Sequence, residues 1–492
     1  GGFEDWQILI DKVRGGKRYN FALRLCKIAR AYQYQFNEEQ LYIYKFLYTR
    51  ALADAGQLHK AEIMLRNLLK ENKSDPDRKA SILNQLGVVS TRLGDTKQAL
   101  RYQRACLELI PESNKRAVAN VHNQIGYNYR LLDDFGRGNR KKAQQHFQKA
   151  LDIATSIDVQ LSDEQKKHNR RLIASAANNL GYIYGKDRQY DEADQLFQRA
   201  IRTWQSIGET REIARAETAQ GILARNRGFY DQAIRFLSNA ISRLVAPDDH
   251  QMLCRAHFHL GWTQWFMAVD YITGEVDFRT LRDAVDSLRK SRDYAEKYEL
   301  QQEQPGVYHQ LASVLWRLGM LTDDPNVCKE ARELNQMAYS LSCKLNDIRY
   351  AVDSLLGEAE FDLDIGKEDL IEEYAQELKE NFERKNYNFP LYYGRMRRIQ
   401  GDFAFARRDF KSAFSLYAEG FYLINQHGGF GPYLIEHELR HLSQKMQALP
   451  TDDAIKWLKY LQEKWENLPR RHQRIDLLFW CTQEIQQTQL SS

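Results

Sequence analysis

A short phrase returns along the chain at a nearly fixed interval, and that recurrence limits the fold more than any other feature. It reads Leu-Asn-Gln-Leu-Gly at 83–87, His-Asn-Gln-Ile-Gly at 122–126, Ala-Asn-Asn-Leu-Gly at 177–181, Thr-Ala-Gln-Gly at 218–221 and Phe-His-Leu-Gly at 258–261. The glycines fall at 87, 126, 181, 221 and 261, so three of the four intervals are 39 or 40 residues. The longer interval, 126 to 181, contains two insertions, Asp133–Lys142 and Ser156–Arg171. About twelve residues after each glycine a small-large-small signature follows, as in Ala99-x3-Gln103-x2-Cys106, Ala193-x3-Phe197-x2-Ala200 and Ala233-x3-Leu237-x2-Ala240. Self-similarity at this period means a stack of supersecondary units, each unable to bury its apolar face alone.

The pattern demands two antiparallel helices per unit. Glycine on the first helix and alanine on the second let backbones approach, and the large residue fills the groove between hairpins. Apolar residues at i, i+3, i+4 and i+7 give both segments a helical period. Turn signals separate them, at Leu93-Gly94-Asp95, Arg188-Gln189-Tyr190-Asp191 and Arg227-Gly228-Phe229-Tyr230-Asp231. Nine prolines and isolated glycines agree with long helices and short turns.

These residues resemble the tetratricopeptide repeat family, whose units read W-x2-L-G-x2-Y…A-x3-F…A…P. Ala177-x2-Leu180-Gly181-x2-Tyr184…Tyr190…Ala193-x3-Phe197-x2-Ala200 is close to a consensus copy. Fainter copies extend outward, from Trp6, Leu9, Val13, Tyr19, Ala22, Cys26 and Ala29 at one end to Tyr433–Met446 with Asp453–Trp465 at the other. The resemblance implies an all-α right-handed superhelix, an α-solenoid of about eleven helical hairpins with a terminal helix from about Arg471 to Gln487. Regular repeats are expected over 3–300 and degenerate ones over 301–492, continuous with the first part. Gly1-Gly2 reads as a tag-cleavage scar and the chain as a fragment of a longer protein.

Composition narrows the class. The longest apolar runs, such as Leu477 to Cys481, are far shorter than the roughly 20 residues that cross a bilayer. A soluble, cytoplasmic protein is expected. Six cysteines (Cys26, Cys106, Cys254, Cys328, Cys343, Cys481) lie far apart with no CxxC pair, and read as reduced, buried thiols. A formal charge of +5 is small for 492 residues and argues poorly for nucleic acid.

In the family the chain resembles, first helices line a concave face that holds a peptide or a ligand. Two groups on those helices are more than the core requires. Asn84, Asn123 and Asn178 form a ladder of carboxamides, each beside Gln85, Gln124 or Asn179 and each before a packing glycine. A carboxamide both donates and accepts, so a row of them pairs with an extended backbone whatever its sequence. Further along the same helices come Arg92, Arg130, Lys186 and Arg225, with Tyr127 and Tyr182 between, a stripe suited to an acidic peptide, a carboxylate or a phosphate. The second group is aromatic: Phe258, Trp262, Trp265 and Phe266, then Trp316, Phe361 and Phe405 in later repeats. Trp262 and Trp265 share a helix face. They suit a compact apolar ligand, or they are core beneath the insertion Ala268–Thr280.

For catalysis one string matters, His437-Glu438-Leu439-Arg440-His441, which has the spacing of a zinc-binding H-E-x-x-H. Arg440 and Ser443 intrude where such motifs are apolar, no third histidine follows, and the repeat register turns His441 inward. Arg14-Gly15-Gly16-Lys17 is a turn, not a phosphate loop, and Gly428-Gly429-Phe430-Gly431-Pro432 reads as a linker. No catalytic residue, metal or cofactor is assigned, and the zinc hydrolase is a remote alternative.

The repeat interval near 40 resembles the sensor arms of bacterial signal-transduction ATPases of the maltose-regulator type, and also peptide-gripping scaffolds such as the kinesin light chain. The first resemblance implies a ligand-recognition region, holding a peptide, a protein segment or a small-molecule inducer, whose ATPase module lies outside this sequence. The second implies a free-standing adaptor that binds an acidic peptide.

Overall fold

The computed structural model describes the chain apart from residues 1, 16–18, 135–138, 246–248, 270–274, 346, 368–369, 386–389, 427–440, 468–480 and 485–492. Helices follow one another throughout: α1 (Phe3–Gly15), α2 (Tyr19–Arg30), α3 (Glu38–Asp54), α4 (Leu58–Glu71), α5 (Pro76–Arg92), α6 (Thr96–Leu109), α7 (Lys115–Asp134), α8 (Arg140–Ile157), α9 (Asp163–Lys186), α10 (Tyr190–Ser206), α11 (Thr210–Asn226), α12 (Tyr230–Arg243), α13 (His250–Ala268), α14 (Phe278–Lys297), α15 (Gln304–Thr322), α16 (Pro325–Leu345), α17 (Ile348–Asp364), α18 (Ile371–Lys385), α19 (Pro390–Ala406), α20 (Phe410–Gln426) and α21 (Thr451–Glu466). Among the described residues the sole β-pairing is an isolated bridge between Val269 and Val276. The chain is all-α, as the period requires. The expected terminal helix lies almost wholly outside the described residues, of which only 481–484 are helical there.

Local chemistry sets the boundaries. Asp75 and Asp95 accept the backbone N–H of Arg78 and Gln98 to cap α5 and α6, and Pro76 occupies the first turn of α5 where its missing N–H costs nothing. Asn37 and Gln40 form a capping box at α3. The turn glycines Gly94 and Gly228 sit at φ +85° and +82°, a left-handed conformation that a Cβ disfavours. The insertion expected over Ser156–Arg171 is mostly helix. A 3-10 turn at Asp158–Gln160 leads into α9, which runs 24 residues, so the extra sequence lengthens a helix rather than building a loop.

The small-large-small signature is buried as its logic demands. Ala143, Phe147 and Ala150 are wholly inaccessible, as are Ala233, Leu237 and Ala240. A methyl group added at Gly126 would stand 2.7 Å from the Phe147 ring, and one at Gly221 2.7 Å from Leu237. Only hydrogen fits there.

The chain divides into two compact units. Unit 1 comprises Gly1–Ile183 with Gln195–Gly208, and unit 2 comprises Tyr184–Asp194 with Glu209–Ser492. In unit 1 a core cluster runs from Ile10 and Ala22 through Leu47, Leu65 and Leu86 to Val89. Unit 2 has serial clusters, around Leu288, Leu311 and Ala331, around Val352 and Ile399, and around Phe414, Leu458 and Trp465. A row of small cores is what stacked hairpins produce, each contacting its neighbours. Cys26, Cys106, Cys254 and Cys481 are buried free thiols, as expected; Cys328, packed against Gly319, is half-buried and Cys343 is exposed.

Candidate functional site

The carboxamide ladder lies in unit 1 on α5, α7 and α9. Asn123 occupies its centre: its Nδ2 donates to Ser175 Oγ at 3.3 Å, and Asn179 Nδ2 donates to its Oδ1 at 3.2 Å. Behind it a second carboxamide chain runs through the interior. Asn128, fully buried, accepts from Thr91 Oγ1 at 2.9 Å and donates to Gln103 Oε1 at 2.9 Å, and Gln103 Nε2 donates to Gln124 Oε1 at 3.4 Å. These four polar groups lie where repeats usually place apolar ones, and each satisfies the next. The phrase pattern omits Asn128, Thr91 and Ser175, and the small-large-small signature includes Gln103 only as a groove-filling residue. Asn128 sits one helical turn beyond Gln124, which was the available signal.

Asn84 and Asn178 differ from Asn123. Each has a buried Oδ1 with no hydrogen-bond partner. A buried acceptor left unpaired costs about 1–3 kcal/mol, so these two rungs hold capacity that the fold does not use.

Beside the ladder, the Arg130 guanidinium lies 4.6 Å from the Tyr127 ring centroid and 4.7 Å from that of Tyr182, held between the two. Tyr127 is 37% exposed. Stacking on both faces fixes the plane of the guanidinium between the two rings.

The expected basic stripe does not extend beyond this. Arg92 Nη1 donates to the Ala53 carbonyl at 2.6 Å, in the last turn of α3, which also accepts the Gly56 N–H at 3.0 Å. In unit 2, Lys186 is half-buried at the end of α9. Arg225 is only 3% exposed, lies 4.1 Å from the Trp262 ring centroid and sits 3.5 Å from His259 Nδ1. Burial and the neighbouring Arg225 charge hold His259 well below the ordinary histidine range, so it stays neutral beside the cation.

The aromatic group is divided: Trp316 and Phe361 are buried, whereas Phe258, Trp262, Trp265, Phe266 and Phe405 are half-buried. Trp262 meets Phe258 and Phe266 edge-on and has Arg225 on its face. Trp265 packs against the Leu281–Leu288 cluster. Trp316 is 6% exposed, stacks on Phe361 at 4.3 Å and donates Nε1–H to Asp364 at 2.8 Å. These rings supply packing area between helices, the commoner use of a helical aromatic stripe. The segment expected to cover them, Ala268–Thr280, closes on itself through the Val269–Val276 bridge, and 270–274 lie outside the described residues.

Unit 2 also contains a buried ionic network that the sequence pattern does not reveal. Asp402, 2% exposed, accepts from Tyr417 at 2.8 Å and faces His441 Nε2 at 2.5 Å, Lys445 at 3.3 Å and Arg398 at 3.8 Å. Burial pushes its carboxyl up, but His441, Arg398 and Lys445 outweigh that and hold it well below the usual carboxylate range. His437 to Arg440 of the zinc-like string lie outside the described residues, and His441 is committed to Asp402. Among the described residues no three potential ligands converge on a metal site, and no helix is long and apolar enough to cross a membrane.

The tetratricopeptide repeat profile matches residues 78–156 and a second such profile matches 173–207. No curated protein matches the sequence. Among solved structures, the apo form of the quorum sensor NprR from B. thuringiensis is similar, with 15% identity and a TM-score of 0.53 over 77% of this chain and 97% of that one. The apo form of RapI is similar at 13% identity and a TM-score of 0.50, over 78% of this chain and 98% of that one. At such identities the likeness is one of fold. Residues 78–156 and 173–207 are therefore tetratricopeptide repeats, set within a longer all-helical chain of the same architecture.

Proposed function

We propose that unit 1 is a binding region for an extended peptide with an acidic group, laid along α5, α7 and α9. The observation that carries this is the Asn84–Asn123–Asn178 row beside a guanidinium held between two tyrosines, with two of the three carboxamide oxygens left unpaired by the fold. Backbone N–H groups of an extended segment would pair with the rungs once the Asn84 and Asn178 amides, whose Oδ1 atoms are buried, turn outward, and Arg130 would take a carboxylate. One structural neighbour is a quorum sensor, which fits a sensing role, although the likeness itself is one of fold alone. The chain is read as a binding rather than a catalytic protein, which agrees with His441 being spent on Asp402. The repeat interval near 40 is what supports a finer reading, the sensor region of a larger regulatory ATPase; a free-standing adaptor is the competing one. A nucleotide-binding module encoded in the same gene would favour the first.

The ladder can be tested without confounding fold and function. Asn123→Ala removes two internal hydrogen bonds, about 1 kcal/mol each, so it loses stability as well as binding. Asn178→Ala removes an unpaired oxygen, and Arg130→Lys keeps the charge but loses the planar fork. With a peptide selected from a random library on the intact chain, both are expected to weaken binding by about tenfold, one charged or paired hydrogen bond each, with the melting temperature nearly unchanged. Undiminished affinity in both variants would refute the assignment.

A further inference from the structure

Tyr129 and His122 occupy a different face of α7 from Asn123, Tyr127 and Arg130. The latter three are at i, i+4 and i+7, and His122 and Tyr129 form their own i, i+7 pair about a quarter-turn or more away. On this face His122 Nδ1 and His146 Nδ1 of α8 stand 2.9 Å apart, with ring centroids 5.1 Å apart. At that separation one nitrogen donates and the other accepts, so the two imidazoles are locked in opposite tautomers and share one proton. A further proton can be taken at the outer nitrogen of the donor ring without breaking the shared bond.

Arg104 and Lys149 act on this pair, and Lys142 stands over the Tyr129 ring on which His146 stacks. The Arg104 guanidinium of α6 donates to the Tyr129 hydroxyl and lies 6.0 Å from its ring centroid. Lys142 Nζ is 5.5 Å from the same centroid, and His146 stacks on that ring at 5.6 Å. Lys149, one turn beyond His146 on α8, acts electrostatically on both imidazoles. Lys142, His146 and Lys149 share one face of α8 at i, i+4 and i+7. The side chains of Arg104, Lys142 and Lys149 are exposed. Among the described residues none of the three has a carboxylate partner. By contrast Arg140, two residues before Lys142, is paired with Asp133 at 2.9 Å, and Arg78, Arg243, Arg332 and Arg395 are each paired too.

We propose that this α6–α8 face is a binding site for a phosphoryl group, held by Arg104, Lys142 and Lys149, with the His122–His146 pair taking up one proton from solvent as the anion docks. Burial first, and the neighbouring cations after it, keep the pair neutral. Burial lowers His122, as does Lys149; burial, His122, Lys149 and Arg104 together hold His146 at about 4. The groups facing the pair are Arg104 from α6, Tyr129 on α7, and Lys142 and Lys149 on α8, and none of them is acidic. A doubly charged phosphoryl oxygen set reverses the sign of that field, so binding and protonation reinforce one another. Three cations without acids suit phosphate better than a carboxylate, which needs one.

The test is calorimetric titration of the full chain with inorganic pyrophosphate and, separately, with a phosphoserine peptide and its unphosphorylated form. Each is run in two buffers of different ionisation enthalpy at about pH 7.5 and about pH 6.5, the range in which histidine titrates. Expected is binding accompanied by proton uptake. Arg104→Gln with Lys149→Gln, both exposed and free of ion pairs, should weaken it by about tenfold or more. His146→Gln should retain binding and abolish the uptake. Binding of pyrophosphate identifies a free phosphate compound, and binding of the phosphopeptide alone identifies a phosphorylated partner; either supports the site. Affinity unchanged in the Arg104 and Lys149 double variant, or binding with no difference between the buffers, overturns it. Failure here leaves the Asn178 result on the other face of α7 untouched.

Discussion

Replacing Asp402 by asparagine tests the least visible part of the structure. The carboxylate is 2% exposed and receives Tyr417 at 2.8 Å and His441 at 2.5 Å, with Lys445 at 3.3 Å and Arg398 at 3.8 Å. Arg398 keeps Glu360 at 2.6 Å in the variant, but His441 and Lys445 lose their acid. Breaking a buried ion pair by removing one partner costs about 3–5 kcal/mol; the isosteric amide still accepts one bond, so about 3 kcal/mol is expected. A chain of stacked hairpins need not unfold as one unit, so the assay is hydrogen exchange resolved by segment. Amides in α19 and α20 should exchange about 150-fold faster in Asp402→Asn, following the 1.36 kcal/mol per decade rule. Those in α3–α6 of unit 1 should not change. The pH dependence has a definite sign. Asp402 is depressed in the folded state, so its contribution is fully present above the unfolded value of about 3.9 and is lost as pH falls through the lower folded value. The gap between wild type and variant should therefore stay constant from about pH 6 to about pH 4 and narrow below that. Equal exchange in α19 and α20, or a gap that persists unchanged at about pH 2.5, would refute the role assigned to Asp402.

Two other substitutions separate packing from binding. Trp316→Phe keeps the stack on Phe361 but removes the donor to Asp364, with an expected loss of about 1–3 kcal/mol at neutral pH. Burial already raises Asp364, with Trp316 opposing it, so that loss should shrink on acidification, when the carboxyl can protonate; denaturant melts at two pH values check this. Gly261→Ala places a Cβ 2.7 Å from Leu288 Cγ and 2.8 Å from the Ala284 carbonyl oxygen. Backbone displacement of about 1–3 kcal/mol should outweigh the roughly 1 kcal/mol gained in helix propensity. Raised protection of α13 and α14 in hydrogen exchange would contradict this.

The repeat was legible because its cause is local. Glycine at 126 and 221 and the alanines that face such positions are required by the approach of two helices adjacent in sequence, and that requirement recurs with each hairpin. Helix period, caps and left-handed turn glycines are likewise settled within a few residues. The all-α architecture and the packing faces thus follow from sequence alone.

What the sequence could not settle was which polar or aromatic residues the fold consumes. Asn84, Asn123 and Asn178 occupy the same place in the repeat, yet only Asn123 has both its amide nitrogen and its oxygen paired, by Ser175 and Asn179 of α9, more than fifty positions away. Arg130 and Arg225 each stand four residues after a packing glycine and Arg92 five; Arg92 donates to the end of α3, Arg130 stands between tyrosines and Arg225 is buried on Trp262. Asp402 and His441 are 39 residues apart and meet only when their helices stack. Helix period fixes the direction in which a side chain leaves its own helix; whether it then finds a donor, a ring or solvent depends on the neighbouring hairpin. That choice belongs to the tertiary structure alone.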